Sequence, residues 1–249
     1  MNTGYDPTLP HSTAIGVDRA VDAFIVGLAR KTELEQQLVA QIDTDAAWFP
    51  GETALAEPSE VITRPHLPAD RVVEIAARQP TWLTVTTAGQ PSELELDGFR
   101  LDGRAPIMVR TTEEPTSNVP RDHSVVPYRG GDHLASLADV ATWPTGRFRT
   151  DTDQIVTLVV EHHDVPVGYG QLVESIPGFG YFADLFVHPD HRGCGYATAL
   201  LTARLQLARE RGMTHVVLSA SDIGRAAFVA NGFAVAAWYA VYRRIDSES

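Results

Sequence analysis

The stretch LFVHPDHRGCGYATALL, residues 185–201, decides how this chain is read. An apolar strand expected over Tyr181 to Val187 ends in a tight loop, Pro189 to Gly195, and an amphipathic helix follows from Tyr196 to about Arg211. Ala197, Leu200, Leu201, Leu205 and Ala208 form the helix's buried stripe, and Gly212 ends it. The first amides of a helix have no acceptor inside it, and its dipole is positive there. That arrangement suits a diphosphate. Gly193 and Gly195 let the backbone approach phosphate without a Cβ in the way, and Ala197 keeps the first turn slim. Arg192 adds a charged contact or braces the loop.

Two familiar nucleotide motifs are excluded. A P-loop would end in Gly-Lys-Ser/Thr, which is missing. A dinucleotide fingerprint would need a third small residue where Thr198 stands, and an acidic residue ending the next strand. What remains is R-x-x-G-x-A after a strand ending in V-x-P.

Working outward, Ile155 to Glu161 and Val167 to Glu174 read as strands joined by a turn at His162-His163-Asp164, hence a hairpin. His123 to Tyr128 reads as a short strand and His133 to Val140 as a short helix. Downstream come a strand at His215 to Ser219, a helix at Asp222 to Ala230 and a last strand at Phe233 to Arg243. This order gives a mixed sheet covered by helices. Thr111 to Arg121 is polar, carries two prolines and reads as a linker. Before it, helical periodicity runs from Val17 to Ile42, with Asp18 a candidate cap. Asp43 to Leu67 reads as mostly irregular, Pro68 to Arg78 as a short helix, Trp82 to Thr86 and Ala105 to Arg110 as strands, and Pro91 to Leu96 as a short helix. Two domains are therefore expected, a smaller α/β unit over residues 1–115 and a second over 116–249.

The 249 residues hold 44% hydrophobic and 21% charged residues, ordinary values for a globular core. A net charge of -12 argues against nucleic acid and against anionic membranes, and would draw a cationic amine. The single cysteine, Cys194, permits neither an internal disulfide nor a cysteine-rich zinc site. No apolar run is long enough to span a bilayer, and the first residues lack a signal peptide's regions, so the expected location is the cytoplasm.

Residues 123–245 resemble the GNAT superfamily of N-acetyltransferases. Arg192, Gly195 and Ala197 match its Arg/Gln-x-x-Gly-x-Gly/Ala signature, preceded by Val187-His188-Pro189, and Asn231-Gly232-Phe233 is close to its Gly-Phe. The implied fold is α/β (α+β), a mixed central sheet with one splayed strand pair flanked by helices. In the first half, TWLTVTTAGQPSELELDGFRLDGRAPIMVR echoes the tail of such a domain but has no R-x-x-G-x-A loop. A degenerate second copy, which should not bind a cofactor, and a family-specific extension both stay open.

The resemblance implies acetyl-CoA as co-substrate, an amine acceptor on a small molecule, and direct attack without an acyl-enzyme. By resemblance, backbone of Leu185, Phe186 and Val187 meets the pantetheine arm, and Arg192, Gly193, Cys194, Gly195, Tyr196, Ala197 and Thr198 meet the diphosphate. Ser221 stands where the family has a helix-starting asparagine, and Phe228 where it often has a general-acid tyrosine; both count among cofactor-side residues. Asp184 is the first candidate base, against a reading in which it braces the loop or faces solvent. Glu174 and Glu161 are weaker candidates. Tyr239 is the first substitute acid, with Tyr242 and Tyr181 behind it, although strand aromatics are more often core. His188 and His191 lack further ligands, so no metal is expected. A sensor that binds acyl-CoA without turnover, a protein acetyltransferase and a homodimer stay open.

Overall fold

The computed structural model describes residues 15–50, 58–113, 123–137 and 152–245. The first half builds α1 (Val17–Gln36), β1 (Gln41–Ile42), β2 (Ala46–Pro50), β3 (Pro58–Thr63), α2 (Ala69–Ala76), β4 (Trp82–Thr87) and β5 (Phe99–Thr111). The second builds β6 (Ser124–Pro127), a 3-10 turn (Gly131–Leu137), β7 (Ile155–His162), β8 (Val165–Glu174) and β9 (Phe179–Val187). A further 3-10 turn (Pro189–His191), α3 (Tyr196–Glu210), β10 (His215–Ser219), α4 (Asp222–Ala230) and β11 (Ala234–Arg244) complete it.

Among the described residues all the strands join one mixed sheet, in the order β1-β2-β3-β4-β11-β5-β10-β9-β8-β7-β6. The two halves exchange strands at its centre. β5, from the first half, lies between β11 and β10, and β11, from the second, lies between β4 and β5. Outward from that pair the pattern repeats, because β3 runs parallel to β4 and β9 parallel to β10. Each parallel pair is bridged by a helix, α2 in one half and α3 in the other. Gly98 and Gly232, both at positive φ, precede Phe99 and Phe233, which open the exchanged region and are buried.

Alternation along each strand sorts the core into two layers. Ile107, Val109, Tyr181, Ala183 and Val217 pack under α1 through Phe24 and Ile25. Their neighbours Met108, Phe182, Val216 and Leu218 pack under α3 and α4, while Val61, Leu83 and Val85 pack under α2. Thus α1 covers one face and α2, α3 and α4 the other. α1 comes close to β9 at Gly27, where a Cβ would stand 2.3 Å from Tyr181 Cβ.

Several local expectations are corrected. α1 ends at Gln36, where Gln37 turns left-handed (φ 59°), instead of running to Ile42. Its N-cap is Gly16, without a side-chain cap, and Asp18 lies inside the first turn. The Asp43 to Leu67 stretch holds β2 and β3; Asp43 starts this sheet edge by accepting from the amides of Asp45 and Ala46, both at 2.8 Å, and from Trp48 Nε1 at 2.9 Å. Pro91 to Leu96 forms no helix; Leu94 N–H donates instead to Tyr242 Oη at 2.9 Å. Most of the expected linker and the end of the His133 to Val140 helix lie outside the described residues.

Candidate functional site

β9 and β10 part company. Their parallel pairing covers only His215 with Phe179, Val216 with Gly180 and Val217 with Tyr181. Beyond Tyr181, β9 stays paired to β8 on its other side up to Val187, and Leu218 and Ser219 stay paired to β5. A wedge therefore opens between Phe182–Val187 and Leu218–Ser219. A β-bulge in β9 lies along it. Phe186 faces Tyr169 and Ala183 faces Gln171, so Asp184 and Leu185 together oppose Gly170. Asp184 has φ 49°, a left-handed conformation that bends a strand away from its neighbour.

At the open end of the wedge the loop after β9 turns into α3 and forms a cradle. Gly193 (φ 77°) and Gly195 (φ 87°) are left-handed, which side chains tolerate poorly. Gly195 is also the N-cap of α3, whose first internal hydrogen bond runs from Ala199 N–H to Gly195 O at 3.0 Å. The amides of the first turn before it point out of the helix end. A cavity of about 330 Å³ is lined here by Val187, His191, Arg192, Gly193, Gly195, Tyr196, Ala197 and Thr198. A Cβ built on Gly193 meets nothing within 4 Å, so the cradle is open where an anion would come. The donors and the space fit a diphosphate.

Around the cradle, Arg192 Nε donates to Val187 O at 3.2 Å and ties the loop to the end of β9. Cys194 is exposed. Tyr196 is buried, stacks on His123 (centroids 4.3 Å apart) and meets His162 Nδ1 through its hydroxyl at 2.7 Å. Desolvation, and then the neighbouring His163, His191 and His123, pull His162 below its ordinary pKa. Among the described residues no group of three or more His, Cys, Asp or Glu is placed to hold a metal. Among them also, no helix is long and apolar enough to cross a membrane.

The β10 wall of the wedge carries a hydroxyl pair. Tyr239 Oη lies 2.5 Å from Ser219 Oγ, and its ring stacks on Phe24 of α1. Burial raises the Tyr239 pKa against the lowering effect of that hydrogen bond, so the hydroxyl is protonated at neutral pH. Burial also raises Tyr181, which packs beneath α1.

The other expected site residues fall elsewhere. Ser221 caps α4, accepting from Gly224 N–H at 3.3 Å. Phe228 is buried among α4, Phe233 and Trp238, with its ring 5.6 Å from that of Phe233. Glu161 is bound to Arg129 and His133 at the far side of β7. Glu174 pairs with Arg30 at 3.7 Å. Tyr242 packs under α2. Asp184, expected as a base, is ion-paired to Lys31 Nζ at 2.9 Å.

The sequence reading missed Lys31, Glu35, Gln171 and Arg204, which surround the bulge. Two signals were available. Lys31 and Glu35 stand four apart on α1, and Arg204 interrupts the apolar stripe of α3 beside Leu200 and Leu205.

Comparison with known proteins agrees with this geometry. No curated protein sequence matches the chain. Among solved structures, a GCN5-related N-acetyltransferase from Kribbella flavida is similar in fold, with 15% identity, a TM-score of 0.62, and coverage of 95% of this chain and 98% of that one. A putative GNAT-family acetyltransferase from Novosphingobium aromaticivorans shares 14% identity, with TM-score 0.59 and coverage of 91% and 99%. A tandem GNAT protein from the clavulanic acid biosynthesis pathway shares 14%, with TM-score 0.53 and coverage of 94% and 98%. A sequence model described as Acetyltransferase (GNAT) family matches residues 124–233, which run from β6 to the residue before β11 and contain the wedge and the cradle. Over residues 124–233 the chain is therefore similar to the GNAT family of acetyltransferases.

Proposed function

We propose that the chain transfers an acetyl group from acetyl-CoA to an amine of a small molecule, at one site in its second half. The carrying observation is the wedge with an open cradle at its mouth, since pairing of β9 with β10 stops at Tyr181. Strand backbone from Leu185 to Val187, which has no partner on its β10 side, suits an extended amide-bearing arm, which would bind as an added strand. The amides of Gly193 to Thr198, with Gly193 and Gly195 giving access, would hold the diphosphate. Acetyl-CoA supplies a thioester: the ammonium group first gives a proton to water, the neutral nitrogen then bonds to the carbonyl carbon and sheds a second proton to water, and the C–S bond breaks with the sulfur taking a proton to leave as thiol.

In this reading Tyr239 would help that departure. Its hydroxyl stands at Ser219, the last residue of β10 on the wedge, and burial keeps its proton on. Ser219 holds the hydroxyl in place. With Tyr239 in that role, Phe228 is left to packing. The net charge of -12 favours a cationic acceptor.

The same reading makes the first half a closed copy. There the parallel pairing of β3 with β4 also covers three residue pairs, but side chains bridge the strands beyond it: Thr86 N–H donates to Thr63 Oγ1 at 3.3 Å and Thr86 Oγ1 to Thr63 O at 2.7 Å. Its β3–α2 loop, Arg64-Pro65-His66-Leu67-Pro68, has prolines where amides would be needed, and its helix has only 8 residues.

The test is release of free thiol from acetyl-CoA with a panel of small-molecule amines. Turnover with at least one amine supports the proposal. Tight binding with no turnover on any amine, including peptide amines, would instead make the chain a sensor.

A further inference from the structure

The bulge in β9 is held from both faces of the sheet by cations, half-buried Lys31 on one and buried Arg204 on the other. Ala183 packs toward α1, and Asp184, next in sequence, also reaches that face because of its positive φ. There Lys31 Nζ lies 2.9 Å from Asp184 Oδ2 and 2.7 Å from Glu35 Oε2. Glu35 Oε1 accepts from Gln171 Nε2 at 2.6 Å, which anchors the group to β8. On the opposite face Arg204 of α3 is 1% exposed. Its Nη1 donates to Ala183 O at 3.2 Å and Gln171 O at 3.3 Å, and its guanidinium lies 4.5 Å from the Phe182 ring centroid. Gly170, opposite the bulge, makes the room: a Cβ there would stand 3.1 Å from Arg204 Cζ.

A bulge leaves ladder groups unmatched, and a left-handed aspartate relaxes unless its surroundings fix it. Arg204 takes up the strand carbonyls and Lys31 takes up the carboxylate. We infer that Lys31, supplied by the first half, is a positioning residue of the acyl-transfer site, locking the Asp184 bulge together with Arg204 and so keeping β9 apart from β10. Asp184 is then the anchor of the clamp, not the proton acceptor. The inference rests on the acetyl-transfer reading above. Burial lowers the Lys31 pKa, but Asp184 and Glu35 outweigh it and hold it above the ordinary value, so Lys31 stays charged at neutral pH.

A double-mutant cycle on the full chain tests this, using Lys31→Met, Asp184→Asn, both together, and Lys31→Arg. Each single change is expected to lower kcat about 10- to 100-fold, by misplacing the strand, with the acetyl-CoA dissociation constant within about threefold of wild type. The double variant should be no worse than the worse single, and Lys31→Arg should recover most of kcat. Wild-type kcat in Lys31→Met beside a loss in Asp184→Asn would overturn the inference, since Asp184 would then act alone as base. Amide exchange over residues 183–187 in the isosteric Asp184→Asn protein reads the clamp without turnover. Faster exchange there supports it, and unchanged protection overturns it. If wild type binds acetyl-CoA but acetylates no amine, the transfer reading fails while the exchange result still decides the clamp.

Discussion

The Tyr239 hydroxyl, carried by β11, lies 2.5 Å from Ser219 Oγ at the end of β10, reaching across the intervening strand β5. Strand exchange is what makes this contact. β11 is displaced outward by β5, and the aromatic side chain spans the gap on the α1 face. Tyr239→Phe keeps the ring stacked on Phe24 but removes the proton. It should lower kcat by about 10²–10⁴-fold with little change in acetyl-CoA affinity. Steady-state thiol release beside calorimetry checks both numbers.

The pH profile follows from the same group. An acid must be protonated to work, and Tyr239 is held above its ordinary value of 10.0 by burial. Its contribution should persist through neutral pH and fall only above that value. The falling limb of kcat at high pH should be present in wild type and absent in Tyr239→Phe. An identical limb in both proteins would assign the proton elsewhere.

Phe228→Tyr is the informative substitution on α4. Phe228 packs on Phe233, and a Cβ on Gly224 would stand 3.3 Å from its Cε2. A hydroxyl added there enters an apolar cluster. The expected outcome is a loss of about 1–3 kcal/mol of stability, from burying an unpaired hydroxyl, and no gain in kcat. Denaturant unfolding and thiol release measure the two. A faster enzyme would restore this position to the proton-transfer role that its sequence alignment with the family suggested.

Gly27→Ala tests how closely α1 seats on β9. Alanine within a helix is normally favourable over glycine by about 0.5–1 kcal/mol. Here the new Cβ would meet Tyr181 Cβ at 2.3 Å, so the helix must shift. Overpacking of this kind costs about 1–3 kcal/mol. A lower denaturation midpoint with an unchanged slope is expected. Because Lys31 sits one turn further along α1, kcat should fall with it.

Much of the second half was legible because its chemistry is local. Gly193 and Gly195 announce a left-handed loop, the stripe from Ala197 to Ala208 announces a buried helix face, and His163-Asp164 fills a hairpin turn in which both residues have positive φ. The strand exchange was not legible. Nothing in the β5 sequence says that its partners are β10 and β11, since register across the sheet is set by long-range packing. β2 and β3 were missed because short buried strands carry no alternation to read. The clamp was missed because Lys31 and Asp184 meet only once α1 crosses β9.

The central claim is that one acyl-CoA site lies at the wedge between β9 and β10, with its phosphates on the Gly193–Thr198 turn. Calorimetric titration of the full chain with acetyl-CoA tests it most directly, run beside Gly195→Asp and Arg192→Glu. Gly195→Asp forces a side chain onto a left-handed residue and sets a carboxylate in the cradle, and Arg192→Glu unties the loop from Val187 O. The expected result is one site per chain in wild type and no measurable binding in either folded variant. Two sites per chain, or unchanged affinity in both variants, would contradict the account.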